Sequence, residues 1–141
     1  MDAPGVVREL FAAFASGDPA GAAPYVHPDC RFWPQGTAEA VGRTEPYVGR
    51  DGLAAFFADA ARVWETLELR PTDVRSVGTG VVCFGWAIGR LRGQPEEQRV
   101  PVVWVFRLRD GMIVFGRAVA SAAVAQAIVA PRPAAPSPDS T

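Results

Sequence analysis

The chain has 141 residues, 49% of them hydrophobic and 21% charged, with a formal net charge of −1. That length predicts a single domain burying roughly two-thirds of its surface, and so small a charge supplies no field for nucleic acid or an anionic membrane. All fourteen basic residues are arginine, which excludes Schiff-base chemistry by a lysine.

Cys30 and Cys83 form neither a metal-type spacing nor a disulfide framework. Met1-Asp2-Ala3-Pro4 shows no basic region leading into an apolar run. No segment approaches the roughly eighteen apolar residues of a membrane span. The expectation is a cytoplasmic protein with reduced thiols and no metal or organic cofactor.

Residues 4–15 place Val6 or Val7, Leu10, Phe11 and Phe14 at helical spacing, with Asp2 as N-cap, Pro4 in the first turn and Ser16-Gly17 as the stop. Asp18-Pro19 opens a second, short helix by the same logic. His27-Pro28-Asp29 reads as a turn before a short strand, Cys30-Arg31-Phe32-Trp33. His27 is the only histidine and has the pKa range of a general base. With no carboxylate or nucleophile at a telling offset, satisfaction of backbone groups is the favoured reading for it. Residues 34–49 read as a long irregular loop carrying Glu39, Glu45 and Tyr47. From Arg50 the pattern is helical again, through Leu53, Phe56, Phe57, Ala60, Val63, Trp64 and Leu67. Residues 68–77 form a strand leading into a meander.

The meander has three strands: Val81–Ile88, Val100–Phe106 and Met112–Val119. Alternation divides the first two into faces. One is read as Val82, Phe84, Trp86 and Ile88 with Val102, Trp104 and Phe106; the other carries Cys83, Gly85 and Ala87 with Val103 and Val105. Neither face is polar, so both are expected to be covered. Residues 121–130 suggest a last helix, and the Pro-rich residues 131–141 a disordered tail after a domain of residues 1–130.

Particular stretches carry a family likeness: Leu10-Phe11 through Gly17-Asp18, His27-Pro28-Asp29 with Phe32-Trp33, and Tyr47-Val48-Gly49-Arg50-Asp51-Gly52-Leu53. Phe56-Phe57 and Val105 through Ile113 extend it. On these the chain resembles the SnoaL-like branch of the nuclear transport factor 2-like superfamily. The resemblance implies an α+β fold in which a curved antiparallel sheet wraps three helices into a cone, as in cystatin-like α+β barrels. It specifies fold better than activity, because the superfamily hosts isomerases, cyclases, dehydratases, epoxide hydrolases and binding domains.

The family's catalytic positions carry apolar residues in this chain. The ketosteroid isomerase base matches Trp33, its acidic oxyanion donor Trp104, and its tyrosine Leu10 or Phe14. The aspartate that follows an arginine in epoxide hydrolases and SnoaL-type cyclases is replaced in Arg117-Ala118. One histidine excludes a dehydratase-type pair. The expected ligand site is therefore an aromatic box of Phe14, Trp33, Phe57, Phe84, Trp86, Ile88, Trp104 and Phe106, with Gly116 and Ala118, and with Arg90 at the mouth. It would hold a small aromatic or polycyclic molecule. The alternative is a cofactor-free cyclase, isomerase or dehydratase drawing its acid or base from His27, Asp29, Glu39, Glu45 or Tyr47. A homodimer through the outer sheet face is the expected assembly, built on Cys83, Gly85, Ala87, Val103, Val105, Phe115 and Val119.

Overall fold

The structure, a computed structural model, describes residues 1–119. The expected last helix and tail lie outside the described residues. Helix α1 spans Ala3–Ser16. Asp2 Oδ1 accepts the Gly5 amide at 2.8 Å, and Gly17 closes the helix at φ 72°, where a side chain would be strained. A short helix α2 (Pro19–Ala22), capped by Asp18, runs into a single 3-10 turn at Ala23–Tyr25.

Strand β1 covers Val26–Trp33 and absorbs the expected turn. Pro28 cannot donate to a ladder, and the pairing accordingly slips between Val26 and Arg31, so the strand bends there rather than ending. The expected loop after it contains helix α3 (Gln35–Ala40) and strand β2 (Tyr47–Val48). Helix α4 spans Gly49–Val63. It begins at Gly49, φ 65°, where a Cβ would stand 2.6 Å from the Pro28 carbonyl oxygen.

Strand β3 starts at Trp64 and runs to Val77, so Trp64 and Leu67 belong to the sheet and not to the helix that spacing suggested. Two forces end the helix. Leu67 and Leu69 alternate with polar residues at the strand period, and Arg92 caps the helix by donating from Nε and Nη2 to the Ala61 carbonyl at 3.1 and 2.9 Å. Strands β4 (Gly80–Leu91), β5 (Gln98–Arg109) and β6 (Met112–Val119) form the expected meander.

The six strands make one open sheet in the order β2-β1-β6-β5-β4-β3. All pairings are antiparallel except β1 with β6, which is parallel. This is an α+β fold, and α1 and α4 lie against one face of the sheet. There Val7, Phe11 and Leu53 join Val81, Cys83, Trp104 and Phe106 in the core.

The faces of the meander differ from the sequence expectation. Cys83 lies opposite Trp104, Gly85 opposite Val102 and Val81 opposite Phe106, so odd residues of β4 share a face with even residues of β5. Cys83, Gly85 and Ala87 therefore point toward the helices. Phe84, Trp86 and Ile88 share the outer face with Val103 and Val105. The register follows from the six-residue connection 92–97, and one residue of slip exchanges every side chain between faces.

Candidate functional site

Two adjoining chambers, each partly open to solvent, lie between the inner face and the helices. The larger, about 310 Å³, lies between α3 and the sheet, with Trp64, Leu67 and Leu69 of β3, Ala87 and Gly89 of β4, and Val100, Val102 and Trp104 of β5 in its wall. Phe56 of α4 and Ala118 of β6 complete the apolar lining, while Gln35, Thr37 and Gln98 supply its polar side chains. The smaller, about 100 Å³, runs deeper between α1 and the sheet, against Leu10, Phe11, Phe14, Trp33 and Phe106. Pro34, Phe56, Leu69, Trp104 and Ala118 line both and so form the partition. Trp104 is held there edge-on by Phe11, with ring centroids 5.0 Å apart.

Of the expected lining, the structure brings Phe14, Trp33, Trp104, Phe106, Gly116 and Ala118 to the chambers. Phe84, Trp86 and Ile88 are corrected to the outer face by the register, and Trp86 is 43% exposed there. Phe57 packs into the core against Phe14 and Phe56, at 5.4 and 5.8 Å, and lines neither chamber. Arg90 donates to the Gln94 carbonyl within its own hairpin (3.3 Å) and also stands away from both chambers.

Sequence reasoning missed Thr37 and Trp64. Trp64 was legible in the alternation of residues 64–70 once these are read as strand. Thr37 carries no signal of its own, because a hydroxyl in the short run Gln35–Ala40 looks like solvated loop. It is nevertheless 4% exposed, and its Oγ1 accepts the indole N–H of Trp64 at 2.9 Å.

The polar candidates are occupied elsewhere. Tyr47 is fully buried and donates its hydroxyl to Asp59 Oδ2 at 2.6 Å, beneath the Arg43 guanidinium, which lies 3.8 Å from the ring centroid. Burial first, and the bond to Asp59 second, push its pKa up to about 12. Glu39 accepts from Gln35 at 3.0 Å on the surface. Exposed Glu45 offers only its backbone carbonyl, to Arg43. His27 Nδ1 accepts the Asp29 amide at 3.0 Å, and the Asp29 carboxylate reaches Arg109 at 3.3 Å. Among described residues, the ionisable lining groups are Cys30 and Arg117, both at the smaller chamber. Burial pushes the Cys30 thiol up to about 12, so it stays neutral. No group of three or more His, Cys, Asp or Glu able to hold a metal occurs among the described residues.

The fold is shared with solved structures. An NTF2-like protein of unknown function from Burkholderia pseudomallei superposes with a TM-score of 0.74 at 22% identity, over 92% of this chain and 98% of its own. TerC, co-crystallised with polyporic acid, gives 0.70 at 25% identity, over 88% and 94%. A ketosteroid isomerase-like fold from Catenulispora acidiphila, in complex with trimethylamine, gives 0.71 at 19% identity, over 92% and 96%. No curated protein matches the chain. The model of the SnoaL-like domain matches residues 7–115, most of the chain and all of the sheet as far as β6, and the protein belongs to the SnoaL-like domain family.

Proposed function

We propose that this protein binds a small apolar molecule, aromatic or polycyclic, in the larger chamber, without an acid or base inside it. One observation carries the reading: a hollow of about 310 Å³ walled by Trp64, Trp104, Phe56 and aliphatic side chains, within the size range of ligand sites. TerC, at 25% identity, was co-crystallised with a small organic molecule, which agrees with a binding role for this architecture. The cyclase or isomerase reading would need a proton donor or acceptor at the chamber. Tyr47, Glu39 and His27 are engaged with Asp59, Gln35 and the Asp29 amide instead. No helix among the described residues is long and apolar enough to cross a membrane; the proposed setting is the cytoplasm.

The test is titration with N-phenyl-1-naphthylamine, an uncharged fluorophore. Saturable emission enhancement is expected, with quenching of tryptophan, since Trp64 and Trp104 line the chamber. Ala87→Phe, which places a ring in the hollow, should weaken binding at least about tenfold by filling it. Unsaturable uptake, or uptake that Ala87→Phe leaves unchanged, would overturn the reading.

A further inference from the structure

Thr37 is 4% exposed and stands in the wall of the larger hollow, whose other polar side chains, Gln35 and Gln98, are exposed. A hydroxyl has one proton to donate and two lone pairs. One lone pair takes the Trp64 indole N–H. In a helix interior a threonine can return its proton to the carbonyl four residues earlier, but Thr37 sits in the first turn of α3 and the residue four before it is Trp33 of β1. Here that bond is not made, and Trp64 is the hydroxyl's one hydrogen-bond partner among described residues.

We propose that the Thr37 hydroxyl is the polar anchor of the larger chamber and that the ligand is an uncharged aromatic compound bearing a carbonyl oxygen. The inference rests on the binding reading above and specifies its ligand. Donation from Trp64 N–H polarises the hydroxyl and makes it a better donor in turn. The acceptor it suits is a single oxygen on a flat apolar body that fits between Trp64, Trp104 and Phe56. No described residue lining this chamber carries a charge. An ionised ligand there would lose water with no counter-ion to replace it. A neutral carbonyl meets the geometry without that loss.

The experiment compares 9-fluorenone with fluorene, one ring skeleton with and without the oxygen, by quenching of tryptophan fluorescence. The wild-type chain should bind fluorenone about fivefold to tenfold tighter, the range of one net hydrogen bond. Thr37→Val should erase the difference while still binding fluorene, and Thr37→Ser should retain it. The infrared carbonyl stretch of bound fluorenone should shift down in the wild-type and Thr37→Ser chains but not in Thr37→Val, a readout that loosened packing would not produce. Equal wild-type affinities for the two compounds would overturn this inference and leave the binding reading standing, a comparison that needs no variant to fold. A fluorenone preference that persists in Thr37→Val would also overturn it. Binding of neither compound would overturn both readings.

Discussion

Residues settle this site by what they are bonded to rather than by their type. Tyr47, Glu39 and His27 attract attention in the sequence as possible acids or bases, yet each is engaged away from the chambers. Tyr47 also makes a measurable prediction. The folded chain holds the phenol proton more tightly than the unfolded chain, at about 12 against 10.0. This contribution to stability is fully present below pH 10 and is lost as pH rises toward 12. Burial places the thiols of Cys30 and Cys83 at about 12 as well, and their contribution begins to fall from about pH 9. The chain has no lysine to confuse the window. Denaturant unfolding repeated between pH 8 and pH 12 should show stability falling over the range, and Tyr47→Phe should make the fall shallower above pH 10. The variant should also lose about 1 kcal/mol at neutral pH, for the hydrogen bond to Asp59. An unchanged alkaline slope would contradict the assignment.

Elements set where those residues point. The site depends on the odd-to-even register of β4 against β5, which carries Ala87 and Gly89 inward and Trp86 outward. Gly85 lies where β3 presses closest. A Cβ there would collide with the Arg70 carbonyl oxygen and lie 2.8 Å from Pro71 Cα, both backbone atoms that cannot swing aside. The collision falls beside the slip in β3–β4 pairing between Pro71 and Asp73. Gly85→Ala should therefore cost about 1–3 kcal/mol, read as a lower urea midpoint at unchanged m-value. An unchanged midpoint would mean that β3 has room to move. The same strand shows how pattern and neighbours compete: Trp64 and Leu67 continue the helical spacing of α4, but Arg92 caps Ala61 and twelve register positions against β4 draw the segment into the sheet.

The whole molecule leaves an apolar stripe on its outer face along Val82, Phe84 and Trp86 of β4, Val103 and Val105 of β5, and Phe115 of β6, with Arg75 over the Phe84 ring and Arg117 opposite Val105. Val82 and Val105 are sealed by their neighbours, whereas Trp86 stays 43% exposed. We propose that a second copy of the chain covers this stripe, with Phe84 and Trp86 taking the places expected for Cys83, Gly85 and Ala87. A two-fold axis makes one such patch its own complement. Sedimentation should give twice the monomer mass of 15.0 kDa. Phe84→Asp with Val103→Asp should give monomers, because unpaired charges would be buried at the contact. A wild-type chain that remains monomeric at high concentration would refute the assembly.

Local chemistry was enough to write α1, its Asp2 and Gly17 caps, the Asp18-Pro19 helix start and the three-stranded meander, because caps, turns and alternation act within a few residues of chain. The SnoaL-like likeness was legible for the same reason, as it resides in short motifs along the chain. Tertiary structure alone decided which face of β4 meets the helices, where α4 yields to β3, and that Thr37 is buried beside Trp64. Each of these depends on partners far apart in sequence: a hairpin register, a guanidinium 31 residues from the carbonyl it caps, and an indole 27 residues from the hydroxyl it holds. Period-two alternation says that a strand has two faces, and only its neighbours across the sheet say which one is inside.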